Sequence, residues 1–107
     1  MNANAKFINL TPHTVRLNDG TEILPSGIVA RVTATYTPFD ENGICQAVFG
    51  PIQGLPEPQP DTIYITSALV AQAAKRQDVV SPATGHPQAK RDTNGQIISV
   101  PGFVRAS

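Results

Sequence analysis

Ten prolines and eight glycines in 107 residues constrain this chain more than any motif does. Each internal proline fixes φ and removes a backbone donor, so long helices are excluded from most of the sequence, and strands joined by tight turns are favoured. The apolar share, 40%, suffices for a core, but with no Trp and only four Phe and two Tyr that core must be built from Val, Ile, Leu and Ala. A chain of this length supports one domain, 1–107, because a second core would be too small to be stable.

Local patterns place the elements. TVRL (14–17) and TEIL (21–24) flank Asn18-Asp19-Gly20, where Asp-Gly supplies the positive φ of a tight β-hairpin. IVARVTATY (28–36) alternates as a strand, with Val29, Arg31, Thr33 and Thr35 on one face and Ala30, Val32, Ala34 and Tyr36 on the other. A turn at Asn42-Gly43 leads into a strand that Gly50-Pro51 is expected to stop. The alternate prolines of GLPEPQP (54–60) favour an extended polyproline connector, or a ligand for a proline-reading domain. TIYIT then reads as a strand running into a helix through ALVAQAAKR (68–76), with Ser67 as N-cap. Leu69 and Ala73 share its apolar face, Val70 and Ala74 adjoin it, and Lys75 and Arg76 complement the negative end of the dipole. Pro82 and Pro87 bracket a surface loop, SPATGHP, and Thr93-Asn94-Gly95 turns the chain into a last strand, QIISV. The fold class is α+β, a small mostly antiparallel β-sheet carrying one principal α-helix.

Charge narrows the partners. Eight basic and eight acidic residues give a formal net charge of zero, which argues against a duplex nucleic-acid binder. Residues 1–74 hold three basic and six acidic groups, whereas 75–107 hold five basic (Lys75, Arg76, Lys90, Arg91, Arg105) and two acidic. An anion is best received in that last third, although ordinary solvated surface produces the same asymmetry. Cys45 is alone, so no internal disulfide or cysteine-based metal site can form, and a reduced, cytoplasmic setting is expected. No leader and no apolar run of membrane-spanning length is visible, so neither membrane nor secretion is expected.

Chemistry-bearing residues are few. A strand that runs directly into a helix start presents free backbone N–H groups, and the hydroxyls of Thr66 and Ser67 could add hydrogen bonds to a phosphate there. The simpler reading is that Ser67 only caps its helix. No phosphate-binding loop of the nucleotide-hydrolysing type is present. Thr11-Pro12-His13 reads as a rigid bend with His13 facing a neighbour or a pocket, and no local spacing gives His13 a nucleophile or an orienting partner. His86 lies among small residues, so no metal site and no cofactor are expected. Arg31, on the polar face of its strand, either meets solvent or grips an anion through its guanidinium fork. Arg76-Gln77-Asp78 and Arg91-Asp92 repeat an Arg/Asp pairing that can fix a guanidinium's angle. The candidate ligand-binding set is therefore Thr11, His13, Arg31, Thr66, Ser67, Arg76, Arg91 and Asp92, with no catalytic residue.

Taken in order, INLTPH, Ala30-Arg31, GLPEP, YITSALV, Arg76 to Pro82 and Arg91 to Ile97 make a pattern that resembles a family of small proteins of tailed bacteriophages and prophages. The resemblance covers most of the chain and departs near the end, at SVPGF. It implies a phage-encoded protein acting in the host cytoplasm. By association, it also implies an anti-defence role in which a small nucleotide-type immune signal, ADP-ribose-like or cyclic, is bound and sequestered without catalysis. Thr11 and His13 would orient the base or sugar, while Ser67, Arg76 and Arg91 would take the phosphates. A pocket that surrounds such a ligand is more easily made between two copies, so a homo-oligomer is expected. The alternatives are a protein-binding or virion accessory module, using GLPEPQP and a sheet edge, and a small phosphoesterase with His13 as acid or base.

Overall fold

TIYI, almost wholly buried, sits at the centre of the molecule and is flanked on both sides by other strands. The computed structural model describes residues 5–106, so residues 1–4 and 107 of the expected 1–107 domain lie outside the described part. The strands are β1 (Lys6–Asn9), β2 (Val15–Arg16), β3 (Glu22–Ile23), β4 (Arg31–Tyr36), β5 (Ala47–Gln53) and β6 (Thr62–Ile65). Helix α1 (Ala68–Ala74) follows, then β7 (Val79–Pro82), β8 (Lys90–Arg91), β9 (Ile97–Ser99) and β10 (Phe103–Arg105). The class is a small, strand-dominated α+β fold with one short helix among the described residues.

The antiparallel expectation holds for three two-stranded ribbons, β2-β3, β4-β5 and β8-β9. It does not hold for the central sheet, whose order is β1-β6-β7-β10. There β1 and β7 both run parallel to β6, and only β10 is antiparallel to its neighbour. The β6-α1-β7 segment is thus a parallel crossover through a helix, the connection parallel strands require. A parallel sheet is covered on both faces, which explains why β6 is almost wholly buried.

Alternation along these strands feeds two cores. Ile8, Tyr64 and Val79 face one side, where they meet Leu10, Ala30, Val70 and Ala71, with Val32, Ile52 and Leu55 packed alongside. Phe7, Ile63, Ile65 and Val80 face the other, against Val15, Val100 and Phe103. The molecule is therefore three layers: α1 with the base of β4-β5, the central sheet, and the β2-β3 and β9 segments. Phe7 and Phe103 stack at 5.2 Å between ring centroids across the second core. Tyr64 is fully buried, with its hydroxyl donating to the Glu57 carbonyl at 3.0 Å.

Several local expectations are corrected. The helix ends at Ala74, because Lys75 takes the left-handed conformation (φ 53°) and its N–H closes on the Ala71 carbonyl. No basic residue lies in the last helical turn, and Arg76 lies beyond it. The buried face is Val70 and Ala71, while Leu69 is 42% exposed. Strand β5 does not stop at Gly50-Pro51 but runs through them: between the Val32–Ile52 and Ala34–Phe49 pairs one residue of β4 opposes two of β5. That bulge tolerates the missing proline N–H. SPATGHP begins inside β7, and Ala83 is buried.

Candidate functional site

The bend at Thr11-Pro12-His13 is built by a residue the sequence reading passed over. Asn9 is 1% exposed and uses both ends of its amide: Nδ2 donates to the carbonyls of His13 (2.8 Å) and Ile23 (3.0 Å), and Oδ1 accepts from the Thr11 N–H (3.0 Å). The Thr11 hydroxyl also lies 2.7 Å from Asn9 Oδ1. A buried amide satisfied this fully acts as a rigid bracket. It ties the exit of β1 to β3 and turns His13 to the surface.

The exits of the three parallel strands lie side by side. β1 leads into Thr11, β6 into Thr66 and Ser67, and β7 into Thr84. Crevices at the carboxyl ends of parallel strands are where ligands settle in open α/β sheets, since the chain diverges there and leaves room. A cleft of about 680 Å³ occupies this position, lined by Thr11, His13, Arg16, Thr66, Ser67 and Thr84, with Ile97 and Ile98 as an apolar wall. A second, of about 450 Å³, adjoins it and holds Arg31 and Thr33; Thr11, Pro12 and Ser67 form the ridge shared by both. No Asp or Glu lines either cleft. Each holds one arginine, and many of the remaining polar groups are hydroxyls.

Four of the sequence-derived candidates, Thr11, His13, Thr66 and Ser67, converge on the first cleft, and Arg31 stands in the second. Their hydroxyls are not equally free. Thr66 is fully buried and its hydroxyl donates to the Ser67 carbonyl at 2.9 Å, so toward a ligand it can only accept. Ser67 Oγ accepts from the Val70 N–H at 3.3 Å as the helix cap, and its proton is left to donate. His13 is exposed, and only its backbone enters the bend's hydrogen bonds.

The other three candidates sit elsewhere. Arg76 is at the opposite end of α1, about 10 Å of helix from Ser67. It forms a bidentate pair with Asp78 (2.6 and 2.9 Å), donates to the Pro56 carbonyl at 3.0 Å and lies over the Tyr64 ring at 5.9 Å. The Asp78 carboxylate raises the Arg76 pKa above its ordinary value. This guanidinium clamps the polyproline segment to the core. Arg91 donates to the Gly95 and Thr84 carbonyls, so it braces the β8-β9 turn against the first cleft's rim. Asp92 accepts from the Asn94 and Gln96 N–H groups and shapes that same turn. Among the described residues it forms no ion pair with Arg91, whereas Arg76 and Asp78 do pair as the sequence suggests.

Arg16 is the cleft residue that sequence reasoning missed. It reads as the solvent face of a short hairpin strand, and its pair with Glu22, at 3.6 Å between two half-exposed side chains, is a weak surface contact. Only the tertiary fold, which brings β2 over the exits of β6 and β7, gives it a cleft to face. A further cavity of about 660 Å³, lined by Phe7, Ile63 and Phe103 with Arg105, opens on the second core. No group of three or more metal-ligating side chains is found among the described residues, and no helix there is long and apolar enough to cross a membrane. No family model, curated protein or solved structure matches this chain.

Proposed function

We propose that this is a phage-encoded anti-defence protein that binds a small nucleotide-type signal, ADP-ribose-like or cyclic, and withholds it from a host effector without chemical change. The observation that carries the reading is the pair of adjoining clefts at the carboxyl ends of β1, β6 and β7, each with one arginine and no carboxylate. A ligand with phosphates at its middle and planar or sugar groups at its ends suits this layout. Its phosphates would lie on the Thr11–Ser67 ridge between Arg16 and Arg31, where guanidinium forks pair with phosphate oxygens. Pro12, Pro82, Ile97 and Ile98 offer apolar surface to a base, and His13 a polar edge. The phage context rests on the resemblance noted above, and cytoplasmic action on the same ground.

Binding without turnover is favoured over a phosphoesterase because the groups around His13 are hydroxyls and an arginine, and no carboxylate stands in the cleft to orient the imidazole as a base. The test is to load purified protein with a small-molecule extract of phage-infected bacteria, wash it, denature it and identify what it releases by mass spectrometry. A phosphorylated nucleotide recovered unchanged, lost in Arg16→Glu and Arg31→Glu but retained in Arg76→Ala, is the expected result. An altered product would replace the reading with an esterase, and protein that is empty across several infections would contradict it.

A further inference from the structure

Two hairpin turns in this chain are built alike: Asp40 to Ile44 at the tip of β4-β5, and Asp92 to Gln96 between β8 and β9. In each, the Asp carboxylate accepts from the N–H groups two and four residues on, at 2.8 and 3.0 Å, and the Asp carbonyl accepts from the glycine N–H at 3.0 Å. Both glycines, Gly43 and Gly95, take positive φ, 79° and 82°, as a three-residue hairpin loop requires. Each follows an exposed asparagine. That pairing is chemically reactive, because a glycine nitrogen that no Cβ shields can attack the asparagine Cγ. The nitrogen loses its proton, ammonia leaves, and water opens the resulting succinimide to aspartate or isoaspartate.

The two turns differ in one contact. Arg91 donates to the Gly95 carbonyl at 2.8 Å and, through its other terminal nitrogen, to the Thr84 carbonyl at 2.9 Å, so the second turn is strapped to the chain just beyond β7. Among the described residues no such donor reaches Gly43, whose turn is held by bonds to Asp40 alone. The attack requires the glycine nitrogen to leave the Asp carbonyl and swing toward its neighbour's side chain, and a guanidinium holding the carbonyl of the same glycine opposes that swing. We propose that Asn42 is a site of spontaneous deamidation in the folded protein and that the Arg91 strap protects Asn94. Conversion of Asn42 sets a third carboxylate beside Asp40 and Glu41 and makes the formally neutral chain net acidic. The isoaspartyl form also adds a methylene to the main chain, which breaks the 2.9 Å closure of the Asp40 N–H on the Ile44 carbonyl and opens the tip.

Peptide mapping by mass spectrometry of the full chain, aged folded in mildly alkaline buffer and separately in urea, tests this independently of the proposed ligand. In the folded protein Asn42 is expected to convert about tenfold faster than Asn94, the least that a hydrogen bond to a charged group is worth. In urea both turns are lost, and the two rates come together. Arg91→Ala, with unchanged circular dichroism, raises the Asn94 rate to that of Asn42. A folded chain in which Asn42 stays intact, or converts no faster than Asn94, overturns the proposal. So does a ratio that persists in urea, or an Asn94 rate that Arg91→Ala leaves unmoved.

Discussion

Asn9 holds the bend that lines the candidate clefts. Its side chain is buried and its partners are backbone groups of Thr11, His13 and Ile23. Replacing it with Ala leaves those groups without partners, each such loss costing about 1–3 kcal/mol when buried. Asn9→Ala is therefore expected to lower unfolding stability by about 3 kcal/mol, as read by urea denaturation, and to abolish ligand retention. Asn9→Asp is expected to do little better, because a carboxylate has no donors to offer the two carbonyls. A variant as stable as the native protein would show that the bend holds itself. The bend is legible in the sequence through Pro12 of NLTPH. The role of Asn9 is not, because it depends on a contact with Ile23 that no local pattern encodes.

At the scale of elements, the legible parts are those whose causes are local. Asp19-Gly20 makes the β2-β3 turn, with the Thr21 N–H bonded to the Asp19 carboxylate, and that bond holds the Asp19 pKa below its ordinary value. Ser67 caps α1, and the expected alternation of β4 holds from Arg31 to Ala34, although the strand begins at Arg31 rather than Ile28 and Tyr36, placed on the inward face, is exposed. The illegible parts depend on distant partners. β1 pairs with β6 across more than fifty residues of sequence, and VVSP becomes a strand only because β6 and β10 flank it. Lys75 has good intrinsic helix propensity and still ends the helix, since the chain must turn back to enter β7. Gly54 shows the same dependence on tertiary placement. Its φ is +79°, and a Cβ there would stand 2.5 Å from the Val29 carbonyl oxygen, a backbone atom that cannot swing aside. Gly54→Ala is expected to cost more than 1 kcal/mol, seen as a lowered Tm, whereas Gly85→Ala, where a Cβ meets nothing, leaves Tm nearly unchanged.

At the scale of the molecule, the Cα radius of gyration is 15.5 Å, against about 13 Å for a compact chain of this length. The excess fits an exposed arm beside a three-layer body, and the two features divide the work. The body gathers hydroxyls and two arginines at one end of its parallel strands, and the arm carries the exposed aromatic side chains Tyr36 and Phe39. Arg31 stands where they meet, on the first residue of β4 and in the second cleft. Half of the sequence-derived set, Thr11, His13, Thr66 and Ser67, was brought to one cleft because it flanks strand ends; the arginines of the C-terminal third were drawn off by backbone carbonyls and Asp78, which composition does not reveal.

The most direct measurement is a backbone amide NMR titration of the native protein with ADP-ribose and, separately, a cyclic dinucleotide. Saturable shifts at Thr11, His13, Arg16, Arg31, Thr66, Ser67 and Thr84 with one of the two, and little change around Phe7 and Phe103, are predicted. Shifts centred on the Phe7–Phe103 cavity, or none that saturate with either compound, would contradict the assignment of the clefts as the binding site.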